Sequence, residues 1–261
     1  MRSPILKSLA LASGLVVLVL PSASLAGGAL ANGSAAEVKK RAASASGLVR
    51  VDATFAYAPP MRGSASSGRV GGGTRGAGDG PAVTLEVLVP DHAGLTVSAQ
   101  PTLYWFVSER IESDAELTIV DDTSIDPLLE LKLTPPIEPG IHALSLAEHG
   151  VKLETGVPYQ WFVAVVVDPS QRSYDVIAGG DIKRVARPND LAGQISSAGT
   201  QGAPRAYAEA GIWYDALDGL STQISDRPGD TGLRQQRAAL LDQVGLPEAA
   251  AYERSNMRQG S

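Results

Sequence analysis

Large apolar residues recur at every second position of this chain, in short bursts. Within Gln100–Val107, Leu103, Trp105 and Val107 alternate with Thr102, Tyr104 and Phe106, so a strand here carries bulky side chains on both faces. Tyr159–Val167 is built the same way, again around one tryptophan. Five further runs are Thr84–Val89, Glu116–Asp121, Leu128–Leu133, Ile141–Leu146 and Val176–Val185. In Glu116–Asp121, Leu117 and Ile119 oppose Glu116 and Thr118; in Leu128–Leu133, Leu129, Leu131 and Leu133 oppose Glu130 and Lys132. Turn residues divide the runs: Pro90-Asp91, Pro135-Pro136, Pro139-Gly140, Gly156-Val-Pro158 and Asp168-Pro169. Short alternating strands at this spacing predict a mainly β fold over residues 82–186, an antiparallel sandwich of immunoglobulin or fibronectin III type. The two tryptophan strands are its expected core strands. No helix-length period lies between the runs, which argues against a parallel α/β sheet.

After Pro188 the period changes. Tyr207, Ala210, Trp213, Tyr214, Leu217, Leu220 and Ile224 recur at three and four, the mark of an amphipathic helix, with Pro204 suited to its first turn. Pro228-Gly229 breaks the pattern and Asp230 suits an N-cap. Leu233, Leu240, Leu241 and Val244 then line a second helix closed by Gly245 and Pro247. A shorter helix is expected near Asp190–Ser197. Residues 187–247 therefore read as an α-helical hairpin, similar to a single tetratricopeptide-type unit. One such unit cannot close its own core, so it docks on the sandwich or on a partner, with docking on the sandwich preferred. Residues 248–261 read as a frayed, disordered tail.

The start of the chain sets the expected compartment. Arg2 and Lys7 precede an apolar run from Leu9 to Leu20, Pro21 breaks it, and Ser24-Leu25-Ala26 offers small residues where a signal peptidase reads. The run is about a dozen residues, short of the roughly 20 needed to span a bilayer. Residues 1–26 are thus expected to be a signal peptide cleaved after Ala26. The mature protein is expected to be secreted or periplasmic, with no stable membrane insertion after cleavage. Residues 27–81, rich in Ala, Gly and Ser, bury too little to offset ordering, apart from one short strand over Val49–Tyr57. Within them, Gly68-Arg-Val-Gly-Gly-Gly-Thr-Arg-Gly76 lacks the Lys-Ser/Thr pair of a phosphate cradle. It reads as a turning connection whose Arg69 and Arg75 could pin it to the sandwich through carboxylates.

Composition narrows the chemistry further. The net charge of −6 argues against nucleic acid as a partner. The chain has no cysteine, so disulfides, thiolate metal sites and cysteine nucleophiles drop out together. His92, His142 and His149 read as solvated turn residues rather than zinc ligands. Asp121, Asp122 and Asp126 share one loop and offer hard oxygen ligands, the one place where a calcium ion is considered. No G-x-S-x-G elbow is present. The loop Asp168–Asp175 places Arg172 between Asp168 and Asp175; it is either a small polar site or a loop that staples itself, and the second is preferred. Tyr104 and Tyr159 would form an aromatic platform for sugars if they faced solvent, although core packing is preferred for residues of central strands.

Taken in order, these segments resemble a bacterial, largely cyanobacterial family, the domain of unknown function 928. The matching residues are Arg69–Gly76, Leu95–Ser98, Pro101–Phe106, Pro139-Gly-Ile141, Tyr159-Gln-Trp161, Asp168-Pro169 with Arg172-Ser173, Ile182-Lys-Arg184 and Ala210–Ala216. The family pattern often has a cysteine after Arg75-Gly76 and another before Asp168-Pro169; here those places hold Gly78 and Val167. An aromatic often follows the glycine of the last strand, where this chain has Asp181. The resemblance implies a fold and a compartment and no reaction.

Three functions follow as expectations. The first is a non-enzymatic interaction module of the cell envelope, presenting Trp213 and Tyr214 of the hairpin, or loops and edge strands, to an envelope protein. The second is a carbohydrate or cell-wall polymer binding module using Tyr104 and Tyr159. The third is a hydrolase using Asp168, Arg172 and Asp175.

Overall fold

The structure, a computed structural model, describes residues 55–60, 68–71, 83–122 and 124–259. The expected signal peptide, most of the expected Val49–Tyr57 strand, and Arg75 lie outside the described residues. Among the described residues eight strands form: β1 (Leu85–Val87), β2 (Gly94–Thr96), β3 (Thr102–Val107), β4 (Ala115–Asp121), β5 (Leu129–Leu133), β6 (Gly140–Ser145), β7 (Pro158–Val165) and β8 (Val176–Arg184). Four helical segments follow among the described residues: α1 (Leu191–Glu209), which Gly199 with φ +66° and ψ −179° divides into two short helices, α2 (Trp213–Asp226), α3 (Thr231–Gln243) and α4 (Pro247–Gln259). The strands make two sheets, ordered β1-β3-β6 and β2-β8-β7-β4-β5. Pairing within them is antiparallel except for β2, which lies parallel to β8. The architecture is mixed α/β: a sandwich of two mostly antiparallel sheets with a helical cover.

Register shows how the alternation is used. On β7, Tyr159, Trp161 and Val163 stand opposite Ile182, Gly180 and Ala178 of β8 and Asp121, Ile119 and Leu117 of β4, forming the inner face of the five-stranded sheet. On β3, Val87 and His142 flank Trp105 on one face, and a Cβ on Gly180 would strike Val89 and touch Val87. That face of the small sheet therefore meets the five-stranded sheet. Its other face carries Tyr104 and Phe106, whose rings meet α2 and α4: the Tyr104 hydroxyl donates to Asp218 at 2.7 Å, and Phe106 lies 5.5 Å from Tyr252. The three-stranded sheet is thus the middle layer, buried on both faces, which is why β3 needs bulky residues at every position. Trp105 and Trp161 sit in opposite sheets, 4% and 0% exposed.

The helices depart from the expected hairpin in two places. The continuous helix expected through Tyr207–Ile224 is cut at Gly211, whose φ of +74° is the left-handed stop favoured by glycine. The Ala58 carbonyl lies 2.7 Å from where a Cβ would stand there, and the Ala58 amide donates to the Ala208 carbonyl at 3.0 Å. Beyond Pro247, the stretch expected to fray forms α4, with Ala249, Ala250 and Glu253 buried. Small residues let it lie close against its neighbours, a packing mode that large-apolar periodicity does not register. Asp230 caps α3, accepting from Gly232 N at 3.0 Å and Leu233 N at 3.2 Å.

Helix α2 locks the cover to the sandwich. Trp213 Nε1 donates to the Leu88 carbonyl at 2.8 Å. The Tyr214 hydroxyl accepts from Trp161 Nε1 at 2.9 Å and donates to the Asp181 carbonyl at 3.2 Å. Asp215 accepts from Thr96 Oγ1 at 2.7 Å and Val97 N at 3.1 Å. Arg69 adds a clasp from the N-terminal side. It donates to the carbonyls of Val89, Val244 and Gly245 and pairs with Asp91 at 3.3 Å, so the expected pinning role is taken up mainly by backbone carbonyls. Among the described residues no helix is long and apolar enough to cross a membrane.

Candidate functional site

The helical cover leaves a cleft of about 450 Å3 over the outer face of the middle sheet. Tyr104 of β3 and Ile141 and Ala143 of β6 form its floor. Ser221, Thr222, Ile224 and Ser225 of α2, Pro228 of the following turn, Arg234 and Arg237 of α3, and Tyr252, Glu253 and Asn256 of α4 form its walls. The volume falls in the range of small-molecule sites.

Its polar groups are pre-set by one another. Arg237, 6% exposed, donates from Nη1 to Ser221 Oγ at 3.0 Å and from Nη2 to Glu253 Oε1 at 2.7 Å. Ser221 Oγ in turn donates to the Leu217 carbonyl at 2.7 Å. Glu253 is fully buried. Arg234 meets the same carboxylate more loosely, at 3.5 Å, and reaches the Pro228 carbonyl at 3.4 Å. Two guanidinium groups thus share one carboxylate in a partly desolvated space. Burial, together with the Asp218 carboxylate it bonds, holds the Tyr104 phenol well above its ordinary pKa, so it stays a neutral donor.

Across α2 lies a smaller pocket of about 230 Å3, lined by Thr96, Ser98, Gln100, Thr102, Tyr207, Asp215 and Asp218 among others. Burial raises the Asp215 carboxyl above the usual carboxylate range, against the lowering effect of its bonds from Thr96 and Val97; the charge of Asp218, one turn on, adds to the rise.

The residues singled out from the sequence fall in several places. Tyr104 lines the cleft, but its ring is 7% exposed. Tyr159 is 4% exposed at the head of β7, its hydroxyl accepting from Glu154 N at 3.1 Å. Neither offers an open face for a sugar to stack on. Trp213 and Tyr214 are buried as plugs between α2 and the sandwich, and Tyr214 also borders the smaller pocket. In the Asp168–Asp175 loop, Asp168 accepts from Ser170 and Gln171, while Arg172 bonds Asp175 at 2.6 Å and Glu116 at 2.7 Å. Arg172 holds the Glu116 carboxyl below its usual range. The three residues do not converge on a common space; the loop staples itself and the β4 strand. Asp121 caps its own turn, accepting from Ser124 N at 2.6 Å, and among the described residues no group of three His, Asp or Glu side chains could hold a metal. Two histidines expected to be solvated make specific contacts: His92 Nε2 meets the Tyr57 hydroxyl at 2.9 Å, and His142, on β6, stacks on Trp105 at 5.5 Å.

Sequence reading passed over Arg234, Arg237 and Glu253. The signal was present, because Arg237 stands on the stripe made by Leu233, Leu240, Leu241 and Val244, and Glu253 follows Ala249 and Ala250 on one helical face. A charge on an apolar stripe is costly unless it is paired, and the two find each other across α3 and α4.

Fold and cleft together define a two-sheet sandwich capped by its own helices. The chain belongs to the family described as Domain of Unknown Function (DUF928), whose model matches residues 70–253. No curated protein matches it. Among solved structures, a multi-domain immunophilin from Arabidopsis thaliana is similar over 65% of this chain and 98% of its own, at 8% identity and a TM-score of 0.18, a likeness too slight to carry an argument.

Proposed function

We propose that this protein is a non-enzymatic binding module of the cell envelope, secreted or periplasmic, whose ligand or partner enters the cleft between the middle sheet and helices α2–α4. The observation that carries this reading is the Arg234–Glu253–Arg237 network. A pocket with a rigid sheet floor, walls from three helices and donors already held in place binds without reorganisation. Export is supported by the Arg2–Ala26 pattern. The scaffold is proposed to follow the immunoglobulin or fibronectin III plan. Its strand order, the parallel pairing of β2 on β8, and the bond from Glu154 N to the Tyr159 hydroxyl support this, the last because a tyrosine bonded to backbone a few residues upstream marks the corner of such sandwiches.

The test is photo-crosslinking in the native envelope. A photoreactive residue in place of Asn256 on the cleft rim should capture a specific component, whereas one in place of the exposed Lys132 on β5 should not. Identical capture from both positions, or none from the rim, would sink the reading. A second reading, carbohydrate binding, is favoured by the smaller pocket alone, whose Ser98, Gln100, Thr102 and Tyr207 suit hydroxyl groups. It expects retention on peptidoglycan or exopolysaccharide that Gln100→Ala and Tyr207→Phe abolish; an unretained parent protein removes it.

A further inference from the structure

The cleft's charge balance identifies the group it receives. Arg234 and Arg237 face a single carboxylate, Glu253, leaving one positive charge over. Arg237 is consumed by short bonds to Ser221 and Glu253, and its Nε is buried without a hydrogen-bond partner. Arg234 differs. Its contacts are long, 3.4 and 3.5 Å, and its side chain is 19% exposed. A guanidinium carries five N–H donors in a fixed fork, and this one has donors to spare toward the cleft. Asp218 accepts from Tyr104 of the floor and lines the pocket across α2 rather than the cleft.

Beside these charges the cleft carries apolar side chains among the hydroxyls of Ser221, Thr222 and Ser225. Ile141, Ile224 and Tyr252 line the cleft, and Tyr252 is held by its contact with Phe106. We infer that the cleft binds a monocarboxylate with an apolar or aromatic body: the carboxylate takes a forked pair of hydrogen bonds from Arg234 and the body lies along Ile141, Ile224 and Tyr252. One negative charge matches the one in surplus, and a planar carboxylate fits the fork of an arginine. This inference rests on the proposed binding role of the cleft. The carboxylate could belong to a free small acid or to the C-terminus of a peptide chain, and the two are separated by experiment.

The experiment is an amide NMR titration of the full chain at low ionic strength, followed at Ser221, Arg234 and Tyr252. The probes are 4-phenylbutyrate, a pentapeptide ending in a free phenylalanine, 4-phenylbutyramide and inorganic phosphate. The acid or the peptide should saturate, with shifts confined to the cleft, while the amide should bind at least about tenfold more weakly, the size of one lost charge-assisted pair. Tighter binding of the peptide than of the free acid assigns the carboxylate to a chain end; the reverse assigns it to a small molecule. Arg234→Gln, at a partly exposed position, should remove the preference for acid over amide, and Arg234→Lys should restore part of it. If Arg234→Gln loses its dispersed spectrum, the lysine variant carries the comparison alone, with a smaller preference than the parent expected. An amide that binds as well as the acid, phosphate that outcompetes both acids, or a preference unchanged in the arginine variants would overturn the inference while leaving the cleft a binding site. No cleft shift with any probe would overturn the inference, while the binding role stands or falls by the crosslinking at Asn256.

Discussion

Replacing Tyr214 by Phe removes one hydroxyl from the joint between cover and sandwich. That hydroxyl accepts from Trp161 Nε1 at 2.9 Å and donates to the Asp181 carbonyl at 3.2 Å. Trp161 is 0% and Tyr214 1% exposed, so water does not replace the lost partner. Leaving a buried donor unsatisfied costs about 1–3 kcal/mol, and the longer bond to Asp181 adds little, so the loss is expected near 2 kcal/mol. For a folded body of roughly 200 residues that lowers Tm by about 4–8 °C. Urea unfolding followed by tryptophan fluorescence should show a lower midpoint with an unchanged slope, because the surface exposed on unfolding is the same. The cycle with Trp161→Phe isolates the bond. With no indole N–H to strand, Tyr214→Phe should cost at least about 1 kcal/mol less in that background. Equal cost in both backgrounds, or a parent-like midpoint for Tyr214→Phe, would refute the view that this bond couples the helices to the sheet.

Three further outcomes are expected. Asp215 titrates above the usual range in the folded chain, so the native state holds its proton to higher pH than the unfolded state does, and its contribution to stability falls as pH rises from the ordinary Asp range through the raised value; Asp215→Asn, which can still accept from Thr96 and Val97, should flatten that decline in denaturation curves taken from acid to neutral pH. Arg237→Met strands the buried Glu253 with only the 3.5 Å contact to Arg234 and should cost about 3–5 kcal/mol, much of it recovered in the double variant with Glu253→Met; equal instability of single and double variants by urea melts would contradict this. Gly94→Ala would place a Cβ 2.6 Å from Tyr214 Cε2, and the overpacking should cost about 1–3 kcal/mol by thermal melt.

The strands were legible because alternation is a local property. The seven expected runs coincide with β1 and β3–β8. The missing strand, β2, has three residues, too few to alternate visibly, and owes its existence to β8, almost ninety positions away in register. The break at Gly211 was masked because Ala210, Trp213 and Tyr214 continue the helical period across it, and the reason to stop is a carbonyl from Ala58. Helix α4 was illegible because alanines carry its contacts. The cleft was half legible: Tyr104 stood out as an aromatic, whereas Arg237 and Glu253 declare their role only once α3 and α4 are side by side.

The position of the small sheet has a consequence for how this unit can be assembled with others. An ordinary β-sandwich turns two sheet exteriors outward and can be strung into tandem arrays or stacked through either one. Here β1, β3 and β6 have their exterior occupied by the chain's own C-terminal third, as the contacts of Tyr104 and Phe106 with Asp218 and Tyr252 record. Among the described residues, the five-stranded sheet is left as the one β exterior that the helices do not cover. Cutting the chain after β8 would not release a free-standing sandwich; it would bare the aromatic side of its middle layer and yield a sticky fragment.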